Sequence, residues 1–276
     1  MEVDSQKNEY EEERRSVELS WCTGDPEQET ALRGLRISSW KPIEAVNERQ
    51  ICLNCGRKRM YFCYDCRAYI PHVEQLAPKI KLPVKIDIVK HWLERNGKST
   101  ALHCKLLAPS STLIFDSFID VPDYARDEPD RNTVVVFPSR DAVSIDEFVA
   151  QNGPIHRLVV LDATWFTVKR LRNLPQLRAL PNVALKRYKT HYWRPQKGFS
   201  DEFLATIEAI YYAIRECCEA ERKWHQRQHV DNAARSEPES QSGCANASES
   251  SQLDDLLFWF YFFRGKVEPE KRKNNK

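Results

Sequence analysis

Residues 158–171 read LVVLDATWFTVKRL, and they decide the fold. Leu158, Val159, Val160 and Leu161 form an unbroken apolar run that ends on one acid, Asp162. A short run with no polar alternation is what a strand shows when both of its faces are covered. Working outward, VKIDIVKH (84–91) and Thr133–Phe137 are two further strands, so the strand ending near 157–161 is the third. Helical segments separate them. STALHCKLL (99–107) has Ser99 or Thr100 as its cap, and Ser144 followed by Glu147 has the form of a capping box. Strands alternating with helices predict an α/β fold with a mostly parallel sheet covered on both faces.

An open parallel sheet binds ligands beyond the carboxyl ends of its strands. Three loops leave such ends: KHWLERNGKST (90–100), FPSRDA (137–142) and DATW (162–165), and they are expected to converge. Asp162 can accept a proton there or orient a hydroxylated or cationic ligand. It can equally serve as a turn or helix cap, as can Thr164, and Trp165 can pack under the sheet. No glycine-rich dinucleotide turn and no phosphate loop occurs, so nothing supports NAD or ATP.

Charge is segregated although the net is only +2 over 276 residues. The first 34 residues read as a flexible acidic lead. Residues 169–197 carry nine Lys or Arg and no acid, interleaved with Tyr188, His191, Tyr192 and Trp193. Cations that hold phosphates beside rings that stack bases suggest a polyanion surface. Four of the nine cysteines lie in CLNCGRKRMYFCYDC (52–66). Cys52, Cys55, Cys63 and Cys66, in a chain without a secretory signal, predict a closed structural zinc site inside a module spanning 35–75. The tip residues Arg57, Lys58 and Arg59 are either an RNA contact or a solvated turn. Cys22, Cys104, Cys217, Cys218 and Cys244 read as isolated thiols.

The core then spans 76–228, with a long helix over 205–224 that starts near Thr206. A polar linker (229–252) leads to a C-terminal helix (253–267) packed on the core, and a basic tail (268–276) follows. No apolar run approaches a membrane span. The cluster Lys271–Arg272–Lys273 slightly favours nucleus over cytosol. Oligomeric state is not legible.

The run Asp162–Ala163–Thr164–Trp165 resembles the signature of the DTW-domain family, the tRNA-uridine aminocarboxypropyltransferases and their relatives. CLNCGRKRMYFCYDC, KLPVKIDIVKHWLERNGKSTALHCKLLAP, VVVFPSRDAVSI and YWRPQKGFSDEFLATIEAIYY resemble the family's other blocks in the same order, over roughly residues 35–265, and especially those of the eukaryotic type-one branch. The family commonly has Gly where this chain has Ala163. The resemblance implies a SPOUT-like core with a trefoil knot around an S-adenosylmethionine site. It implies transfer of that molecule's 3-amino-3-carboxypropyl group to N3 of a tRNA uridine, releasing 5'-methylthioadenosine. Asp162 is then the candidate base. Phe137, Pro138, Ser139, Thr164, Trp165, Leu204, Thr206 and Glu208 are implied around the cofactor or target base. Glu208 has an alternative role as a helix-surface charge near a cap. His91, Glu94, Ser99 and Thr100 belong to the first block and are implied to face the pocket, with helix capping and a solvated loop as their alternative. Arg170, Arg187, Lys189, Arg194 and Lys197 are candidates for the tRNA backbone. Two other readings stand beside this one: a non-catalytic tRNA- or rRNA-binding zinc protein, and an RNA methyltransferase using the cofactor's other activated carbon.

Overall fold

The computed structural model describes residues 34–129, 131–164, 167–193, 200–233 and 252–274. The chain enters through a short helix, α1 (Lys41–Glu44), and two small antiparallel hairpins. These are β1 (Gln50–Ile51) with β2 (Lys58–Arg59), and β3 (Phe62–Cys63) with β4 (Ala68–Tyr69). The core alternates strands and helices: β5 (Lys85–Lys90), α2 (Ala101–Leu107), β6 (Thr112–Phe115), α3 (Tyr124–Asp127), β7 (Thr133–Val136), β8 (Val143–Ser144), α4 (Ile145–Asn152), β9 (Arg157–Asp162), α5 (Val168–Arg172), α6 (Pro175–Arg178), β10 (Asn182–Ala184), α7 (Thr206–Ala233) and α8 (Phe258–Asn274).

Six strands form one sheet in the order β6-β5-β9-β7-β10-β8. Every neighbouring pair is parallel. The three expected strands, β5, β7 and β9, lie side by side at its centre, buried on both faces as their apolar runs require. Alternation sorts their side chains into two layers. Ile86, Ile88, Val134, Leu158 and Val160 face α2, α4, α7 and α8. Val89, Val135 and Val159 face Tyr124 of α3, Val168 and Leu171 of α5, and Leu177 of α6.

The capping box at Ser144 is formed: the Glu147 N–H donates to Ser144 Oγ at 3.0 Å, and the Ser144 N–H donates to Glu147 Oε2 at 3.1 Å. At α2 the two cap candidates divide. Ser99 Oγ accepts from the Ala101 N–H at 3.2 Å. Thr100, expected as the alternative cap of this helix, accepts instead from the Ile207 N–H at 3.2 Å. It thus satisfies an orphan donor in the first turn of a distant helix, a partner that local sequence does not show. Two helices also outrun their expected ends. α7 continues past Trp224 to Ala233, because Gln226, Arg227 and Gln228 favour helix and no Gly or Pro interrupts it. α8 continues past Val267 through residues expected as a tail.

The cysteine module shares the main core. Ile43, Cys52, Cys63, Ile70 and Val73 belong to the same buried cluster as α7 and the start of α8. Trp259 Nε1 donates to the Tyr69 hydroxyl at 3.0 Å, and Tyr61 and Phe62 pack edge-on against Phe262 and Trp259 with centroids 5.1 Å apart. No helix among the described residues is long and apolar enough to cross a membrane.

Candidate active site and four-thiol centre

Asp162 closes β9, paired in register with Lys90 at the end of β5. It is 2% exposed. Its two oxygens are held separately: the Ser99 hydroxyl donates to Oδ2 at 2.7 Å, and the Thr206 hydroxyl donates to Oδ1 at 2.7 Å. Three chain segments therefore meet on this carboxylate: the loop after β5, the end of β9 and the first residue of α7. Burial raises its carboxyl above the ordinary value. The two hydroxyls and the charges of Lys90 and Arg67 pull it back only in part. A carboxylate with raised proton affinity, held by neutral donors, is suited to take up a proton.

Around it stands a ring of charge that the sequence did not single out. Lys90 Nζ lies 3.7 Å from Asp116 Oδ1, and the Arg67 guanidinium pairs with the other Asp116 oxygen. Arg67 comes from the cysteine module and has a left-handed backbone (φ 53°), disfavoured for a residue with a Cβ. Its counterpart in the first cysteine pair is Gly56, at φ 72°. The only signal in the sequence is that contrast, CxxC-Gly against CxxC-Arg. His91 is fully buried beside Asp162, and its N–H donates to the Asp162 carbonyl at 2.9 Å. His91 Nδ1 accepts from the Leu93 N–H at 3.2 Å, which puts the ring proton on Nε2. Burial, then the charges of Arg170 and Lys90, hold its pKa below the ordinary value and keep it neutral.

The other predicted residues divide. Thr164 is exposed in the turn that leads into α5: its carbonyl accepts from the N–H groups of Thr167 and Val168 at 2.9 and 3.0 Å. Leu204 packs partly buried on the core. Glu208 is buried and occupied by protein donors. It accepts from the Ala205 N–H at 2.8 Å, the Thr190 hydroxyl at 2.6 Å and the His191 N–H at 2.6 Å. It caps its own helix and fastens the preceding loop, with burial pushing its carboxyl up. Phe137 and Ser139 line a different cleft, about 460 Å³, with Asp141, Lys169, Arg172 and Asn182. The first loop meets the third at Asp162, and Phe137 of the second packs in one cluster with Leu161 and with Ala163 of the third. Pro138, between Phe137 and Ser139, is half-buried. Glu94 lies in the loop after β5, its N–H donating to the His91 carbonyl at 2.9 Å. Trp165, Arg194 and Lys197 lie outside the described residues.

The basic segment is not one surface. Arg172 turns inward and donates to Asn182 Oδ1 and the carbonyls of Leu177 and Leu180. Arg170, Arg187 and Lys189 are exposed, the last 3.5 Å from Asp201. Its rings, expected to stack bases, are used within the fold. Tyr188 lies flat on Tyr212 at 3.7 Å, and Tyr192 and Trp193 approach Phe260 of α8. His191 shares a 2.5 Å contact with Arg264. Ring and charge spacing in sequence does not report which face a ring takes.

The sulfurs of Cys52, Cys55, Cys63 and Cys66 all lie within 4.8 Å of one another. Cys55 and Cys63 are 3.6 Å apart, against about 3.8 Å for two thiolates on one tetrahedral zinc with Zn–S near 2.3 Å. Burial raises the Cys63 thiol, but the backbone N–H groups of Cys66 and Asp65, aimed at its sulfur, outweigh this and lower it to about 6. Of the adjoining basic tip, Arg57 and Arg59 both bind Asp65, at 2.6 and 2.8 Å. Cys104 is a core thiol that burial pushes up to about 12. Cys22 and Cys244 lie outside the described residues.

An α/β protein that fixes a buried carboxylate at the carboxyl end of a central parallel strand, with a four-thiol centre packed against the same core, is the class defined by this geometry. The DTW domain model matches residues 60–268, and the chain belongs to that family. The chain is 33% identical over 264 residues to tRNA-uridine aminocarboxypropyltransferase 1 of Rattus norvegicus, covering 80% of this chain and 84% of the relative. The Homo sapiens protein of the same name is 32% identical over 246 residues, covering 74% and 78%. A solved structure, the SAM-dependent rRNA:acp-transferase Tsr3 from Vulcanisaeta distributa, aligns with TM-score 0.34 and 16% identity over 55% of this chain and 79% of that one.

Proposed function

We propose that this protein transfers the 3-amino-3-carboxypropyl group of S-adenosylmethionine to N3 of a tRNA uridine. The relatives named for this activity support the reaction class. The observation in this chain that carries it is Asp162, buried and raised, with its two oxygens held by hydroxyls. In the reaction the bond from sulfur to the aminocarboxypropyl carbon breaks, a bond from that carbon to N3 forms, and N3 loses its proton. Methylthioadenosine leaves as a neutral thioether.

Asp162 takes the N3 proton. Ser99 is the outward member of the pair, half-buried where Asp162 is buried, and relays the proton through its 2.7 Å hydrogen bond. Thr206 holds the second oxygen so that the first keeps its orientation. Uridine N3 is a weak acid, and a carboxylate with raised affinity is a better match for it than an ordinary one. Lys90 and Arg67 supply positive charge near the site, where negative charge grows on the uracil oxygens. Positioning of the two substrates supplies most of the remaining acceleration.

The four thiols hold a structural zinc ion in the same reading. Their donor set is closed, leaving no position for substrate. The SPOUT-like path with its trefoil knot belongs to the proposal too. So does a nuclear or cytosolic place of action, with the nucleus slightly favoured by Lys271–Lys273 and an RNA substrate.

The test is nucleoside mass analysis of tRNA incubated with the purified protein and S-adenosylmethionine. A uridine carrying one aminocarboxypropyl group in place of a hydrogen is the expected product. A methyl increment would make the protein a methyltransferase. An unchanged tRNA that nevertheless binds tightly would make it a binding protein.

A further inference from the structure

A second cleft, about 390 Å³, lies between the cysteine module and the core. One wall is the loop after β5, with Lys98 and Ser99. The other carries Arg49, Lys58, Arg59 and Tyr64, and Trp193 contributes a ring. Asn96 donates to Asp65 Oδ1 at 3.1 Å and so ties the two walls together. Among the described residues no Asp or Glu lines the cleft. Arg59 is engaged with Asp65 and sits 4.1 Å above the Tyr64 ring. Arg49, Lys58 and Lys98 are exposed and make no ion pair among the described residues. His103, also in the lining, is held neutral by burial, which lowers its pKa to about 3.

We infer that this cleft seats a nucleotide of the RNA substrate, with its phosphates on Arg49, Lys58 and Lys98. The inference rests on the RNA substrate proposed above. Charge separates the two ligands the cleft could take. S-adenosylmethionine carries a sulfonium, an ammonium and one carboxylate, a net positive charge that the Arg49, Lys58 and Lys98 charges in the lining repel. An RNA strand brings one negative charge per nucleotide, and cations beside aromatic rings are how unstacked nucleotides are held. Volume agrees, since pockets of this size hold single small ligands. Ser99 lines the cleft and donates to Asp162, so a base seated there lies one hydroxyl away from the buried carboxylate. The cysteine module thereby becomes half of the substrate site as well as a support for it.

The test pairs Lys58→Glu with Lys98→Glu in the full chain. Zinc content and melting temperature are measured to show the fold is kept. The double variant should bind tRNA at least about tenfold more weakly, and its salt dependence should flatten by one to two phosphate contacts. Affinity for S-adenosylmethionine should stay within about twofold. Ultraviolet cross-linking of wild-type protein to tRNA should label peptides containing 58–64 and 96–99, and this readout does not depend on any variant folding. Unchanged tRNA affinity, or cross-links confined to other peptides, overturns the inference and leaves the proposed reaction standing. Loss of S-adenosylmethionine affinity with tRNA affinity intact assigns the cleft to the other ligand. Wild-type protein with no affinity for tRNA at all removes the proposed function and this inference together.

Discussion

Two aspartates sit buried on the neighbouring central strands, and they are held in opposite ways. Asp87, on β5, faces the layer of α3, α5 and α6. It accepts from the Arg157 guanidinium at 2.7 Å and from the Tyr124 hydroxyl at 2.7 Å. Arg157 is itself fixed by a bidentate contact with Glu128 at 2.9 Å. Asp162, on β9, faces the opposite layer and meets two neutral hydroxyls, with Lys90 and Arg67 acting only at a distance. Both are 1–2% exposed, so burial does not separate them. The immediate partner does. Asp87 has a guanidinium directly on its carboxylate. A carboxylate held by hydroxyls keeps an elevated affinity for a proton and stands where ligands bind, at the strand's carboxyl end.

Removing the zinc ion proposed for the four thiols should have the largest effect on this contrast, because a structural zinc contributes on the order of 10 kcal/mol to the fold around it. Chelation should raise hydrogen exchange over residues 50–70 and at the start of α8, which rests on Tyr61, Phe62 and Tyr69. It should also withdraw Arg67 from the neighbourhood of Asp162 while leaving the Asp87 layer protected. Uniform loss of protection across both layers would mean that the two halves are not distinguished in this way.

Next in size are the amide variants. Asp87→Asn leaves Arg157 partly uncompensated in a buried site and should cost about 3 kcal/mol in denaturant unfolding. Activity per folded molecule should be unchanged. Asp162→Asn keeps the shape and removes no direct ion partner, so it should change stability by less than about 1 kcal/mol. Equal losses for the two would break the comparison.

Glu216 of α7 sharpens it on a smaller scale. It is buried, accepts from the Lys186 N–H at 3.0 Å and faces Tyr188. Burial lifts its carboxyl from 4.5 to about 7. The native state therefore binds this proton more tightly than the unfolded chain does. The stability it confers is fully present below pH 4.5 and is lost as pH rises through about 7. Glu216→Gln should flatten that decline, so the variant gains on wild type between those values in pH-dependent melts. A parallel curve for the two proteins would remove Glu216 as its source.

How much of this was legible in the sequence depended on length and locality. β5, β7 and β9 announced themselves because central strands carry unbroken apolar runs. β8 and β10 span two and three residues and sit toward one edge, where no periodicity can develop. Asp162 was visible as an acid ending such a run. Its holders, Ser99 and Thr206, lie 63 and 44 residues away; local pattern read them as a cap and a helix start, and only the family resemblance linked them to the site. Thr100 looked like a cap and is one, but for the wrong helix. Arg67 gave almost no signal, since its role comes from where a cysteine turn happens to aim it. The rings at 188–193 could not be told apart in sequence: Tyr188 lies on Tyr212, whereas Trp193 touches Phe260 and also lines the second cleft.

The central claim is that Asp162 receives the proton released when the new bond to uridine forms. Single-turnover release of methylthioadenosine by Asp162→Asn, with tRNA and S-adenosylmethionine prebound and both affinities checked, tests it most directly. The account predicts a rate lower by about a hundredfold or more with both affinities within a few-fold of wild type. Release at the wild-type rate from the same saturated complex would contradict it.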